Sequence, residues 1–208
     1  MTREKNIIYA ARAVSLLFTP FYLPLLGLAV LFSLSYLSML PLGYRLSILL
    51  LVYFFTILLP SLLIHLYRSY QGWTRIELGQ KQRRMVPYVI SIVCYFTCVW
   101  LMRMLHVHHF VPSILIAALL IQIVCAIINV WWKISTHTAA TGGVAGTLII
   151  FSELFNFNPV WWLCLVLALA GILGTARMIL RQHSLSQVVW GFFVGLICSF
   201  FGIIYFSI

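Results

Sequence analysis

Near the C-terminal end, between two long apolar stretches, stands ARMILRQHSLSQ, residues 176–187. Arg177 precedes His183 with five residues between them, and Gln187 follows His183 with three between. A guanidinium is a planar fork of donors that matches phosphate oxygens. An imidazole changes charge near neutral pH and can serve as nucleophile or proton carrier. Each such group is costly at the edge of a membrane segment unless it has a partner. The combination suits holding and attacking a phosphoryl group. Upstream, WKISTHTAATGG, residues 132–143, sets a second histidine, His137, near Lys133, with Ser135 or Thr136 placed to cap a helix beginning there. Further upstream, RIELGQKQRRMVPY, residues 75–88, carries Lys81, Arg83 and Arg84 ahead of Pro87, a residue suited to a helix's first turn, where anions are favoured. Ser184 and Gln187 also fit an S-x-x-Q capping box, a purely structural use of the same glutamine.

The elements that must position these residues are membrane helices. The chain has 208 residues, 63% hydrophobic and 8% charged, with a mean hydropathy of +1.08; a soluble domain carries about 25% charged residues. Apolar stretches near 22–39, 46–67, 86–104, 112–132, 137–155, 159–176 and 185–207 reach the roughly 18 to 20 residues a crossing requires. Backbone groups in lipid must pair within their own segment, and no ten-residue alternation of a barrel is present. The fold class is therefore all-α, a polytopic transmembrane helical bundle with six or seven spans. Six remain if residues 22–39 form a re-entrant hairpin, which would let the N-terminus lie opposite the site. Residues 1–70 read as N-terminal membrane helices and 71–208 as the core carrying the three loops. Residues 7–18 suit an interfacial helix, and no cleavable signal peptide is evident. Gly142 and Gly146 form a small-xxx-small face that another helix can approach closely.

The net charge is +10, from 13 basic residues against three glutamates. Seven crossings put Arg3, Lys5, Arg12, Arg68, Arg75, Lys81, Arg83, Arg84, Lys133, Arg177 and Arg181 on one face, leaving Arg45 and Arg103 on the other. Positive-inside bias would make the richer face cytoplasmic; an anion site assembled from several loops explains the same asymmetry. His137 and His183 fall on that face and favour the second explanation. No soluble basic domain exists, which excludes nucleic acid as partner. A transporter wants ionisable groups at mid-bilayer, and Glu153 and Gln122 are poor candidates. Cys94, Cys98, Cys125, Cys164 and Cys198 all fall inside spans and read as packing residues. His106, His108 and His109 lie on the opposite face with no carboxylate or cysteine nearby, so they read as an interfacial turn rather than a metal site. His65, near a span end, reads as structural.

In its three loops the chain resembles the type 2 phosphatidic acid phosphatase (PAP2) superfamily of membrane lipid phosphatases, whose signatures are K-x6-R-P, P-S-G-H and S-R-x5-H-x3-D. The third is matched at Arg177 and His183, with Ala176 for its Ser and Gln187 for its Asp. The second is matched at Ser135 and His137, with Ile134 for Pro and Thr136 for Gly. KQRRMVP is a loose version of the first, with Arg84 three residues before Pro87 and Glu77 seven before Arg84. The resemblance spans about residues 75–207, and the whole chain is similar to a divergent branch of small bacterial inner-membrane proteins. It implies that His183 attacks phosphorus to form a phosphohistidine and that His137 protonates the leaving oxygen. Arg177 would clamp phosphate oxygens, assisted by Arg84, Lys81 and Arg83, with Lys133, Ser135, Thr136 and Arg181 also around the anion. The implied partners are the bilayer and a lipid phosphate: phosphatidate, phosphatidylglycerophosphate, polyprenyl diphosphate or a lipid A type. No metal or other cofactor is implied, and the site would face away from the cytoplasm. Gln187 can accept a hydrogen bond from the imidazole but cannot stabilise imidazolium by charge. Slower chemistry is expected, and the competing reading is a weak or inactive descendant that binds anionic lipid or acts as a scaffold.

Overall fold

The computed structural model describes residues 2–34, 36–72 and 85–207. The first loop's Glu77, Lys81, Arg83 and Arg84 lie outside the described residues. Those described form helices α1 (Thr2–Leu17), α2 (Leu23–Leu34), α3 (Leu42–Gln71), α4 (Met85–Met104), α5 (Phe110–Trp131), α6 (Thr136–Phe155), α7 (Val160–Ile179) and α8 (Leu185–Ser207), with no strand among them. Helices α3 to α8 are the six long and apolar enough to cross a membrane. The protein is a multi-pass, all-helical membrane bundle.

The stretch 22–39 does not make a seventh spanning helix. It folds as the 12-residue α2 followed by a 3-10 turn, Tyr36–Met39. Twelve residues rise only about 18 Å, well short of a hydrocarbon core of roughly 30 Å. Helix α3 keeps its 30-residue length despite Pro60. Its backbone widens into a π turn at Phe54–Leu58 just ahead of the proline, which has no N–H to offer the ladder.

Helices α6 and α8 make the most extensive contact in the bundle. The reason is the small-residue face read from the sequence. A methyl added at Gly142 would strike the backbone of Phe192, and one at Gly146 would meet Ser199 and Leu196. Reciprocally, a methyl at Gly195 would strike the Ala139 carbonyl, and one at Gly191 would lie 2.6 Å from the Ser135 carbonyl oxygen. The two backbones touch, so their N-terminal ends share one level. The Ser135 N–H donates to the Gln187 carbonyl oxygen at 3.3 Å across that junction. Ile121, Cys125, Ile134 and Ala139 form a small apolar cluster there, while a larger one gathers around Tyr95, Met102, Leu115 and Phe151. The five cysteines are unpaired thiols, and Cys94, Cys98 and Cys125 are buried in the packing as expected.

Candidate active site

Helix α7 ends in a Schellman turn. The Arg181 N–H donates to the Met178 oxygen at 2.9 Å and the Gln182 N–H to the Arg177 oxygen at 3.1 Å. Arg181 supplies the left-handed residue, with φ of 51°. The chain therefore doubles back over the last turn of α7 and delivers His183 above Arg177. Helix α8 then opens with the capping box. The Ser184 N–H donates to Gln187 Oε1 at 3.1 Å, and the Gln187 N–H reaches Ser184 Oγ at 3.5 Å.

The same Gln187 Oε1 lies 3.2 Å from His183 Nδ1. Since that oxygen accepts from the Ser184 N–H, it must also be an acceptor toward the ring, which places the imidazole proton on Nδ1. Nε2 then carries the lone pair. It faces Arg177, whose Nη2 is 3.4 Å away and is a donor. The cap and the imidazole orienter are one side chain.

His137 sits in the first turn of α6, where Ser135 is the N-cap and accepts from the Thr138 N–H at 3.4 Å. Arg177 and His183 stand close enough to act electrostatically on His137, whose Nδ1 is buried without a partner. The second and third loops thus converge on one cluster. Thr136 stands beside it, half-buried, whereas Ser135 is fully buried with its hydroxyl committed to the cap. Lys133 and Arg181 are both exposed, Lys133 in the turn before α6 and Arg181 at the end of α7.

Two contributors were not read from the sequence. Ser15, 7% exposed near the end of α1, accepts a hydrogen bond of 2.8 Å from Arg177 Nη1. Its backbone also stands within hydrogen-bonding reach of His137. The N-terminal helix therefore packs on α7 and meets the cluster, rather than lying opposite it as a six-span arrangement allowed. Tyr88 at the start of α4 acts electrostatically on Arg177, and its hydroxyl accepts from Asn129 Nδ2 at 3.0 Å. Neither residue belongs to a motif. A serine in an apolar run and a tyrosine at a helix end carry no signal until the chain is folded.

Arg177 thus reaches Ser15 with Nη1 and His183 with Nη2, while its Nε is buried and unpaired. Two imidazoles, one with its Nε2 lone pair directed at Arg177, stand beside a fixed guanidinium. Residues 131–207 match the family model of the PAP2 superfamily. Over that segment the chain is similar to the PAP2 superfamily. No curated protein and no solved structure matches the chain at significance. The PAP2 segment covers α6, α7 and α8, so it includes His137, Arg177, His183 and Gln187 but neither Ser15 nor Tyr88. Among the described residues no group of three or more His, Cys, Asp or Glu is placed to hold a metal. In the His106–His108–His109 turn ahead of α5, His108 stacks on Phe110 at 5.7 Å and meets His109 edge-on at 6.1 Å.

Proposed function

We propose that this protein is a lipid phosphatase that hydrolyses a phosphate monoester or diphosphate of a membrane lipid through a phosphohistidine. The single observation that carries the reading is the orientation of His183, proton on Nδ1 against Gln187 and lone pair on Nε2 beside Arg177. A phosphoryl group entering between His183 and Arg177 would take the guanidinium donors onto its oxygens. Nε2 attacks phosphorus, an N–P bond forms, and the bond to the lipid oxygen breaks. Protonated His137 gives its proton to that departing oxygen. Neutral His137 then takes a proton from water as the water oxygen attacks phosphorus, the N–P bond breaks and phosphate leaves. Phosphoryl transfer of this kind needs mainly positioning and positive charge around the equatorial oxygens. Arg177 supplies the charge, Ser15 and the Schellman turn supply the positioning, and the exposed Lys133 and Arg181 add basic charge at the neighbouring helix ends. We place the protein in a bacterial inner membrane with the site on the extracytoplasmic side. Accessibility of cysteines introduced at Arg75 and Arg181 tests the sidedness.

The deciding experiment is phosphate release by the purified protein from phosphatidate, phosphatidylglycerophosphate, polyprenyl diphosphate and lipid A. His183→Ala should lose at least about 10²-fold in rate, the scale of a removed catalytic group, and His137→Ala a comparable amount. Vanadate should inhibit by mimicking five-coordinate phosphorus. Should no phosphate be released from any substrate, or both variants match the wild type, the scaffold reading replaces this one.

A further inference from the structure

Tyr88 stands in the first turn of α4, a helix outside the family-matched residues 131–207. The side chain is half-buried and packs against the cluster of Ile121, Cys125, Ile134 and Ala139. Ile134 precedes the N-cap Ser135, and Ala139 lies one turn on, its N–H donating to the Ser135 carbonyl at 3.0 Å. Ile134 and Ala139 bracket His137 in the chain. The ring is therefore held at the end of α6 that carries His137. Tyr88 also stands close enough to Arg177 to act on its charge.

Asn129 fixes which way the phenol proton points. It is 6% exposed in the last turn of α5. Its Nδ2 donates to the Cys125 carbonyl at 2.8 Å and to Tyr88 Oη at 3.0 Å. A backbone carbonyl can only accept, which identifies that amide atom as the nitrogen. Tyr88 Oη is then the acceptor toward Asn129, and its own proton is directed elsewhere. Other hydroxyls at this level have assigned uses. Ser135 caps α6, Ser184 caps α8, and Ser15 accepts from Arg177. A phosphoryl group spreads its charge over three oxygens, whereas a guanidinium fork engages two. A phenol donor arriving from α4 supplies the third.

We propose that Tyr88 is a substrate-binding residue whose phenol donates to a phosphoryl oxygen, with Asn129 as the residue that positions it. The inference rests on the phosphatase reading and adds to its site a neutral donor from α4. Phosphate release from phosphatidate, and its inhibition by vanadate, test it. Tyr88→Phe keeps the ring in the cluster and removes the donor. It should lower kcat/KM about tenfold or more, the scale of a hydrogen bond to a charged group. The vanadate inhibition constant should rise by a similar factor, with little change in Tm. Asn129→Ala leaves the phenol in place without its mount and should lower kcat/KM by about threefold, as loss of a neutral hydrogen bond does. In the Tyr88→Phe background the same change should alter neither constant further, because Asn129 acts through the phenol. Unchanged kcat/KM and vanadate constant in Tyr88→Phe overturn the inference and leave the phosphatase reading, which His183→Ala tests, standing. Additive losses in the double variant overturn the positioning role of Asn129. If no ester is hydrolysed, protection by vanadate against thermal unfolding decides. A rise in Tm that Tyr88→Phe diminishes supports the donor. An equal rise in both proteins, or none in the wild type, overturns it.

Discussion

Gln187 does two jobs with one oxygen, and they can be separated. Oε1 accepts from the Ser184 N–H at 3.1 Å, closing the cap of α8, and lies 3.2 Å from His183 Nδ1, fixing the tautomer. Gln187→Ala removes both. A neutral hydrogen bond is worth about 0.5–1.5 kcal/mol, so losing the imidazole contact should slow turnover about 2- to 12-fold at about tenfold per 1.4 kcal/mol. Losing the cap should cost about 1 kcal/mol of stability, a fall of roughly 2–4 °C in Tm for a chain of this size. Gln187→Glu keeps an acceptor at the same reach, so the cap and the Tm should be retained. Its charge-assisted bond of about 1.5–3 kcal/mol stabilises the imidazolium-like charge that builds as the N–P bond forms. The glutamate variant should therefore turn over about five- to tenfold faster than wild type. Phosphate release gives the rates and thermal unfolding in detergent gives the stabilities. The reasoning fails if Gln187→Ala keeps its rate within twofold while its Tm drops, because the glutamine would then be a helix cap and nothing more.

Ser15→Ala should weaken the hold on Arg177 and lower kcat/KM about tenfold or more, since hydrogen bonds to charged groups carry about 1.5–3 kcal/mol; Ser15→Thr should restore most of it, which a purely structural role for the side chain would not predict. Arg177→Lys keeps the charge but loses the two-armed reach to Ser15 and His183, and kcat/KM should fall on the order of 10²-fold. Gly195→Ala drives a methyl into the Ala139 carbonyl and should cost about 1–3 kcal/mol in thermal unfolding, whereas Gly171→Ala meets nothing within 4 Å and should be neutral or stabilising by up to about 1 kcal/mol. Arg181→Gly removes the cost of a left-handed non-glycine residue, about 1–2 kcal/mol, and should raise Tm by a few degrees.

The sequence by itself determined that the chain lives in lipid, where its spans begin and end to within a few residues, and that the ends of α6, α7 and α8 carry His137, Arg177 and His183. Those features are local. Hydropathy is summed along the chain, caps are set by neighbours three residues apart, and the five-residue gap from Arg177 to His183 needs one turn to close. Even the contact between α6 and α8 was partly legible, because glycines one turn apart announce a close approach without naming the partner. The stretch 22–39 stayed open between a crossing and a re-entrant hairpin for a related reason: its composition suits a span, but hydropathy does not register that the helix ends at Leu34 ahead of the 3-10 turn Tyr36–Met39. Only the tertiary structure decided that Ser15 braces Arg177 across 162 positions, that Tyr88, held by Asn129, acts on Arg177, and that Tyr95 and Gln122 meet in the interior. A serine, a tyrosine or a glutamine in an apolar helix gains its meaning from what packs against it. That partner is chosen by the fit of whole helices, which no short window of sequence contains.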